Sequence, residues 1–349
     1  MTKPTIVIDA HIPFIKGVLE QVAYVHYYPA NEITADTVRH ADALIVRTRT
    51  ACNEALLAHS SVRFIATATI GFDHIDTEFC ATQGIAWTNA AGCNASSVAQ
   101  YIGSVLAFWA NKNKFTLANK TLGIVGVGHV GTEVVHVAQL LGMRILLNDP
   151  PRAQHDKTTD FVSLDLIARE ADVITFHTPL TTDGAYPTYN LASADFFDKL
   201  QRRPLIINSA RGGVVDESAL KIALKQGKIS DVVLDCWENE PDVDKDLLQI
   251  TLLSTPHIAG YSSDGKAKAT EMSVRAVSRF FGLGLDDYTV TELSPKEIKC
   301  LTRHDLSQAL LANYNIQADS EQLRANPERF EALRSHYPVR REMDWRVTD

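Results

Sequence analysis

A small set of residues in the middle of the chain has the types and spacing to do chemistry together. Gly126, Gly128 and Gly131 form G-x-G-x-x-G between an apolar run and a helix-forming stretch, and Asp149 ends the next apolar run. Arg211 follows in Ser209-Ala210-Arg211-Gly212-Gly213, Glu240 in Glu238-Asn239-Glu240-Pro241, and His257 in Thr255-Pro256-His257-Ile258-Ala259-Gly260. The glycines permit a tight turn and close approach of backbone to a pyrophosphate, and the helix N-terminus offers unpaired N–H groups and the positive end of a dipole. A carboxylate at the Asp149 position accepts from the adenine ribose hydroxyls and repels a 2′-phosphate, which favours NAD over NADP, although Arg152 lies close by. The fork of Arg211 can hold a carboxylate by two parallel hydrogen bonds. His257 can accept a proton from a 2-hydroxyl as hydride leaves, and return it in the reverse direction. Glu240 would hydrogen-bond the imidazole, fix its tautomer and favour its protonated form. The combination reads as hydride transfer on a 2-hydroxy acid. Taken singly, each residue also has a structural reading: a surface ion-pair arginine, a core histidine, a capping glutamate, a solvated turn aspartate.

The elements that must position these residues are legible as short apolar runs separated by helical stretches. Strands are expected over 6–9, 43–46 and 64–67, and then over 122–127, 144–148, 173–177, 205–208, 232–235 and 252–254. Most of these runs are apolar nearly throughout, as parallel strands covered on both faces are. The alternation predicts an α/β chain with right-handed crossovers and doubly wound parallel sheets. Asp235 then falls at the carboxyl edge of a sheet, where it could accept from a nicotinamide carboxamide, and Thr178 could line the cofactor cleft. Helices are expected over 94–110 and 266–281, passing between two sets of strands, which would make the first domain discontinuous. Beyond Gly282-Leu283-Gly284 a short strand is expected at 288–290, and Asn326-Pro327 reads as a helix start.

The bulk numbers set bounds on this reading. A chain of 349 residues is long enough for two or three cores, and 45% apolar with 22% charged is ordinary globular composition. A net charge of −8 argues against a nucleic-acid footprint, while a local cationic pocket can still take a small anionic substrate. Five cysteines without a CxxC pair suggest neither a disulfide framework nor a metal site. Met1-Thr2-Lys3-Pro4 runs into a strand-like stretch without a signal-peptide core, and no apolar run approaches a membrane span, so a cytoplasmic setting is expected.

These residues resemble the D-isomer-specific 2-hydroxyacid dehydrogenases over roughly 40–275. Gly92-Cys93-Asn94-Ala95, Asp149-Pro150-Pro151-Arg152, Leu234-Asp235-Cys236-Trp237-Glu238 and Pro256-His257-Ile258-Ala259-Gly260-Tyr261-Ser262-x-Asp264-Gly265-Lys266 are similar to one branch of that family. The resemblance implies oxidation of 4-phospho-D-erythronate to 3-hydroxy-2-oxo-4-phosphooxybutanoate in vitamin B6 biosynthesis, with NAD as cofactor. It implies Arg211, Glu240 and His257 as the catalytic set, with His257 the proton donor. Cofactor contacts are implied at Gly126, Gly128, Gly131, Asp149, Thr178, Ser209, Ala210, Arg211, Asp235 and Gly260, and substrate contacts at Thr48, Thr69 and Tyr261. Arg47 and Arg49, flanking Thr48, are the candidates for the substrate phosphate. The implied architecture is a Rossmann-type NAD-binding domain (96–261) inserted into a flavodoxin-like substrate domain (1–95 and 262–283), followed by a small α+β module (284–349) that makes a homodimer. Two other readings stay open: another dehydrogenase of the family, such as 3-phosphoglycerate dehydrogenase or a glyoxylate/hydroxypyruvate reductase, and an NAD-sensing binding scaffold.

Overall fold

A computed structural model describes residues 3–294, 296, 298–338 and 340–348. Met1, Thr2 and Asp349, at the ends of the expected domain ranges, lie outside the described residues. The chain divides into two compact units, one formed by Met1–Asn94 with Ser262–Pro295, the other by Ala95–Tyr261 with Lys296–Asp349.

The first unit is a five-stranded parallel sheet of β1 (Thr5–Asp9), β2 (Tyr24–Tyr28), β3 (Ala43–Val46), β4 (Phe64–Thr67) and β5 (Ala86–Asn89), ordered β2-β1-β3-β4-β5. That order is the flavodoxin-like one. Successive residues of the central strands feed opposite faces. Val7, Leu44, Val46 and Ile65 pack on one side, and Ile6, Ile8, Ala43 and Ile45 on the other with Val274 and Val277 of the helix Ser263–Phe281. Both edge strands escaped the sequence reading. Tyr24–Tyr28 and Ala86–Asn89 are part-exposed and carry polar residues, so they show no apolar run. The strand expected at 288–290 is instead irregular chain that follows a turn at 286–287. The Tyr288 N–H bonds the Leu285 carbonyl at 3.1 Å, and the Val290 N–H is taken by Glu271 Oε1 at 2.9 Å, so the groups a ladder would need are already used.

The second unit holds a six-stranded parallel sheet: β6 (Thr121–Val125), β7 (Arg144–Asn148), β8 (Val173–Phe176), β9 (Leu205–Asn208), β10 (Asp231–Leu234) and β11 (Leu253–Ser254). Their order is β11-β10-β9-β8-β6-β7, and Leu147 makes one further parallel bridge to Phe161 beyond β7. The strand order reverses between β6 and β8, which is where an open α/β sheet binds ligands at its carboxyl edge. One face packs on Ile102, Val105, Leu106 and Trp109 of the helix Ala95–Asn113. The residues from 298 on add a parallel pair, β12 (Ile298–Leu301) and β13 (Asp344–Val347), and the helices Arg303–Asn313, Ile316–Ala325 and Phe330–Ser335. Leu306, Leu310, Tyr314 and Ile316 join the same core as that long helix, and Leu323 and Phe330 join the core on the other face.

Candidate active site

The glycine-rich turn follows β6. Gly126, at φ 88°, ends the strand two residues earlier than the apolar run suggested. A Cβ on Gly131 would stand 2.1 Å from the Gly126 carbonyl oxygen, so strand and helix pack at a distance only glycine allows. Gly128 faces open space, with nothing within 4 Å of a Cβ built there. It caps the helix His129–Leu140, whose first turn receives no side-chain cap. Unfilled room beside uncapped N–H groups suits a pyrophosphate.

Asp149 ends β7 and reaches back to this turn. Its Oδ2 accepts from the Val127 N–H at 2.8 Å and its Oδ1 from the Arg152 N–H at 3.0 Å. The neighbouring Arg152 is engaged within the protein. Its Nη1 donates to the Val127 carbonyl at 2.6 Å and its Nη2 pairs with Asp156 at 3.2 Å. A ribose held at this turn would therefore meet a carboxylate beside an already engaged guanidinium.

Two buried hydroxyls lie past the next strands. Thr178, beyond β8, and Ser209, beyond β9, each keep a buried side-chain oxygen with no hydrogen-bond partner. Buried orphan hydroxyls are uncommon, and here both lie past the carboxyl ends of adjacent strands, as a bound dinucleotide would require. Asn208 shapes the turn that follows. Its Oδ1 accepts from the Ala210 N–H at 3.1 Å and its Nδ2 donates to the Arg211 carbonyl at 2.9 Å. Gly212 sits against Trp237, whose carbonyl would be 1.9 Å from a Cβ, so the arginine turn is pressed onto the next strand's extension.

His257 is held by an unusual turn. It has φ 56°, a left-handed conformation that a side chain disfavours, and its N–H bonds the Asp235 carbonyl at 2.8 Å. The Asp235 carboxylate, 1% exposed, fixes the rest: it accepts from Thr255 Oγ1 at 2.6 Å, the Ile258 N–H at 2.8 Å and the Ala259 N–H at 3.0 Å. Tyr101 and the Trp237 indole tie down Thr255 in turn. Asp235 therefore stands at the expected sheet edge with its carboxylate engaged in organising the turn that presents the imidazole. Burial pushes its carboxyl up, and the His257 charge and these donors oppose that.

The imidazole and Glu240 meet directly. His257 Nδ1 lies 2.8 Å from Glu240 Oε2 and 3.1 Å from Oε1, and the Trp237 N–H donates to Oε1 at 2.9 Å. Burial alone would push the Glu240 carboxyl up. The His257 hydrogen bond and charge, the Trp237 N–H and Arg334 outweigh it, so the carboxyl lies below its ordinary value and stays ionised. With Nδ1 occupied, Nε2 is the atom left to exchange a proton with a ligand. Arg211, Gly213, Trp237, Glu240 and His257 line a cavity of about 340 Å³. Among the described residues Arg211 has no acidic partner within ion-pair distance; its guanidinium donates to the Ala210 carbonyl at 2.8 Å.

The structure brings together Arg211, Glu240, His257 and Asp235, and sets Tyr261 four residues past the imidazole in a turn closed by its N–H on the Ile258 carbonyl at 2.8 Å, with Gly260 inside it. Thr48 and Thr69 belong to the first unit, at the carboxyl ends of the adjacent strands β3 and β4. Thr69 Oγ1 lies 2.7 Å from Thr67 Oγ1 and donates to the Gly71 carbonyl at 3.0 Å. Arg47, one of the two phosphate candidates, is committed to the fully buried Asp9, with Nε 2.9 Å from Oδ2.

The sequence reading missed several neighbours. An Asn at a strand end is a turn signal that could have found Asn208. Cys236 could have been found from the run it shares with Asp235. Its Sγ lies with the ligand atoms of Glu240 and His257 within 4.8 Å of one another, but burial pushes the thiol well above its ordinary value and keeps it protonated. Arg334 approaches Glu240 from far along the chain, its Nη1 3.7 Å from Oε2, and nothing local marks it.

Fold and site together define a D-isomer-specific 2-hydroxyacid dehydrogenase. Residues 99–259 match the model of the D-isomer specific 2-hydroxyacid dehydrogenase NAD binding domain, and 285–346 match a domain of unknown function. The chain is 51% identical to the erythronate-4-phosphate dehydrogenase of Bacteroides thetaiotaomicron over 97% of both chains. It is 42% identical to that of Porphyromonas gingivalis, over 97% of this chain and 93% of the other. Among solved structures it resembles the 3-phosphoglycerate dehydrogenase of Entamoeba histolytica with bound NAD+, at 26% identity and TM-score 0.68, covering 84% of this chain and all of that one. The chain belongs to the erythronate-4-phosphate dehydrogenase family, and it is an NAD-dependent dehydrogenase. Among the described residues no helix is long and apolar enough to cross a membrane.

Proposed function

We propose that the chain oxidises 4-phospho-D-erythronate to 3-hydroxy-2-oxo-4-phosphooxybutanoate, a step of pyridoxal 5′-phosphate biosynthesis, in the cytoplasm and as a homodimer. The observation that carries the chemistry is the His257–Glu240 pair, 2.8 Å apart, in a cavity also lined by Arg211. The substrate assignment is supported by relatives that share up to 51% of the sequence across nearly its whole length.

Arg211 holds the substrate carboxylate in two parallel hydrogen bonds and so sets the C2 position. His257 Nε2 accepts the C2 hydroxyl proton, and the resulting imidazolium is stabilised through Nδ1 by the ionised Glu240. NAD, when bound, would supply the hydride acceptor; Gly126, Gly128, Gly131, Asp149, Thr178, Ser209–Arg211, Asp235 and Gly260 would hold it. In reverse, His257 donates the proton. Thr48, Thr69 and Tyr261 are proposed as further substrate contacts, each bearing a hydroxyl.

The test is oxidation of 4-phospho-D-erythronate beside 3-phospho-D-glycerate and D-glycerate, with NAD, with and without a 2-oxo acid acceptor. Preference for phosphoerythronate is expected, and His257→Ala should lose about 10²- to 10⁴-fold in kcat while NADH binding, read by fluorescence titration, stays within about twofold. Preference for another acid overturns the substrate assignment. Undiminished turnover by the alanine variant overturns the mechanism.

A further inference from the structure

The residues from 296 onward hold the catalytic loop at several points. The Ser254 N–H donates to Ser320 Oγ at 2.9 Å. Arg340 Nη2 donates to the Ala259 carbonyl and to Ser97 Oγ, both at 2.7 Å. The Tyr337 ring meets the Tyr261 ring edge-on, with centroids 6.2 Å apart. These contacts grip backbone, a serine hydroxyl or a ring. Arg334, in the helix Phe330–Ser335, does something different: its Nε donates to the Tyr261 hydroxyl at 3.2 Å, and its Nη1 stands 3.7 Å from Glu240 Oε2. The side chains of Arg334 and Glu240 are 27% and 18% exposed, so solvent and salt screen this pair less than a surface one.

Each contact has a consequence for the reaction. A phenol has one proton, and when a guanidinium donates onto its oxygen that proton is directed to a different acceptor. The Glu240 carboxylate has two cationic partners, protonated His257 and Arg334, and the positive charge of Arg334 close by offsets part of the field by which Glu240 favours the imidazolium. Arg211, Asp235, Cys236 and Glu217 also act electrostatically on this group of residues, Cys236 as a protonated thiol. Arg334 is the Lys or Arg within ion-pair distance of Glu240 among the described residues.

We propose that Arg334 is a positioning residue for the dehydrogenation, supplied by the C-terminal segment that matches a domain of unknown function. It aims the Tyr261 hydroxyl at the bound acid and limits the hold of Glu240 on protonated His257. The proposal rests on the dehydrogenase reading given above and assigns that segment a working part in the reaction, besides its share in the core.

The experiment compares full-length wild type, Arg334→Gln, Arg334→Lys and Tyr261→Phe. It reads the pH profile of kcat/KM for phosphoerythronate oxidation, KM and kcat separately, NADH affinity and melting temperature. In Arg334→Gln, unshielded Glu240 should hold the imidazolium more tightly and move the acid limb up by about half a unit to one unit. KM should rise about tenfold, the size of one lost hydrogen bond, with NADH affinity unchanged within about twofold. Arg334→Lys, which keeps the charge but not the planar fork, should restore the limb and not KM. A glutamine variant with wild-type limb and KM overturns the proposal, as do losses in both variants that only follow a fall in melting temperature and NADH affinity. If the glutamine variant does not fold, Tyr261→Phe decides: a raised KM with an unmoved limb supports the proposal, and an unchanged KM overturns it. Failure of the wild type to oxidise any of the 2-hydroxy acids would instead overturn the functional reading on which it rests.

Discussion

In the proposed reaction the imidazole of His257 moves the proton, and its environment is asymmetric. One ring nitrogen faces an ionised carboxylate at 2.8 Å; the other is left to the ligand. Replacing Glu240 by Gln removes the charge that stabilises the imidazolium while keeping a polar group of similar size. The His257 that acts as base must be neutral, so the acid limb of kcat/KM for oxidation should move to lower pH, opposite to the shift expected for Arg334→Gln, and kcat should fall at least tenfold because the tautomer is no longer fixed. A pH–rate series on the Glu240→Gln variant checks this, and an unmoved limb would assign the titration to another group. His177 is not a rival, because burial holds it down at about 3, neutral across that range. Residue type and motif single out Arg211, Glu240 and His257 as candidates, and the structure brings them to one cavity. The convergence of three donors on the buried Asp235 carboxylate, and the meeting of Cys236 with Glu240 and His257, carry no local signal of their geometry.

At the scale of elements, the strand–turn–helix around β6 separates two kinds of glycine. Gly131 is required by the fold, because any Cβ meets the Gly126 carbonyl at 2.1 Å. Gly128 is not required by the fold: its surroundings are open and its φ of −77° suits any residue. Gly128→Ala should therefore melt within a degree or two of wild type yet bind NADH at least tenfold more weakly, the added methyl standing where the pyrophosphate approaches. Gly131→Ala should lower the melting temperature as well. Thermal melts beside NADH titrations decide the matter, and wild-type affinity in Gly128→Ala would place the pyrophosphate elsewhere. The buried strands were legible because continuous apolar runs mark strands covered on both faces. The edge strands β2 and β5 were not, because they are partly exposed and polar residues interrupt their apolar run.

At the scale of the whole molecule, stability should carry the mark of one buried carboxyl. Glu217, 7% exposed at the start of the helix Glu217–Lys225, accepts from the Glu238 N–H at 2.7 Å, and burial raises it from 4.5 to about 7. Between those values the folded state holds a proton that the unfolded state has released, so this group's contribution to stability falls as pH rises from about 4.5 to about 7. Melts from pH 5 to 8 should show that decline flattened in Glu217→Gln; an identical slope in both proteins would contradict it. The proposed homodimer belongs to this scale too. Light scattering on the full chain should give twice the mass of one chain, and a single-chain mass would remove dimerisation from the reading.

Residue types and their spacing along the chain were enough to determine the glycine-rich turn and the alternation of strands and helices, and to single out Arg211, Glu240 and His257 as candidates. Those features arise from local rules: glycine's freedom at a tight turn, the apolar cost of a buried strand, the few side chains able to clamp a carboxylate or move a proton. What only the tertiary structure decided depends on groups far apart in sequence meeting in low dielectric. The engagement of Arg152 by Val127 and Asp156 removes the cation that had clouded the choice of NAD. The packing of Leu306, Leu310 and Phe330 into the cores of the cofactor unit carries the C-terminal segment to the catalytic loop. Arg334 reaches Glu240 and Tyr261 by that route, and no periodicity or motif in the surrounding residues records the distance it crosses.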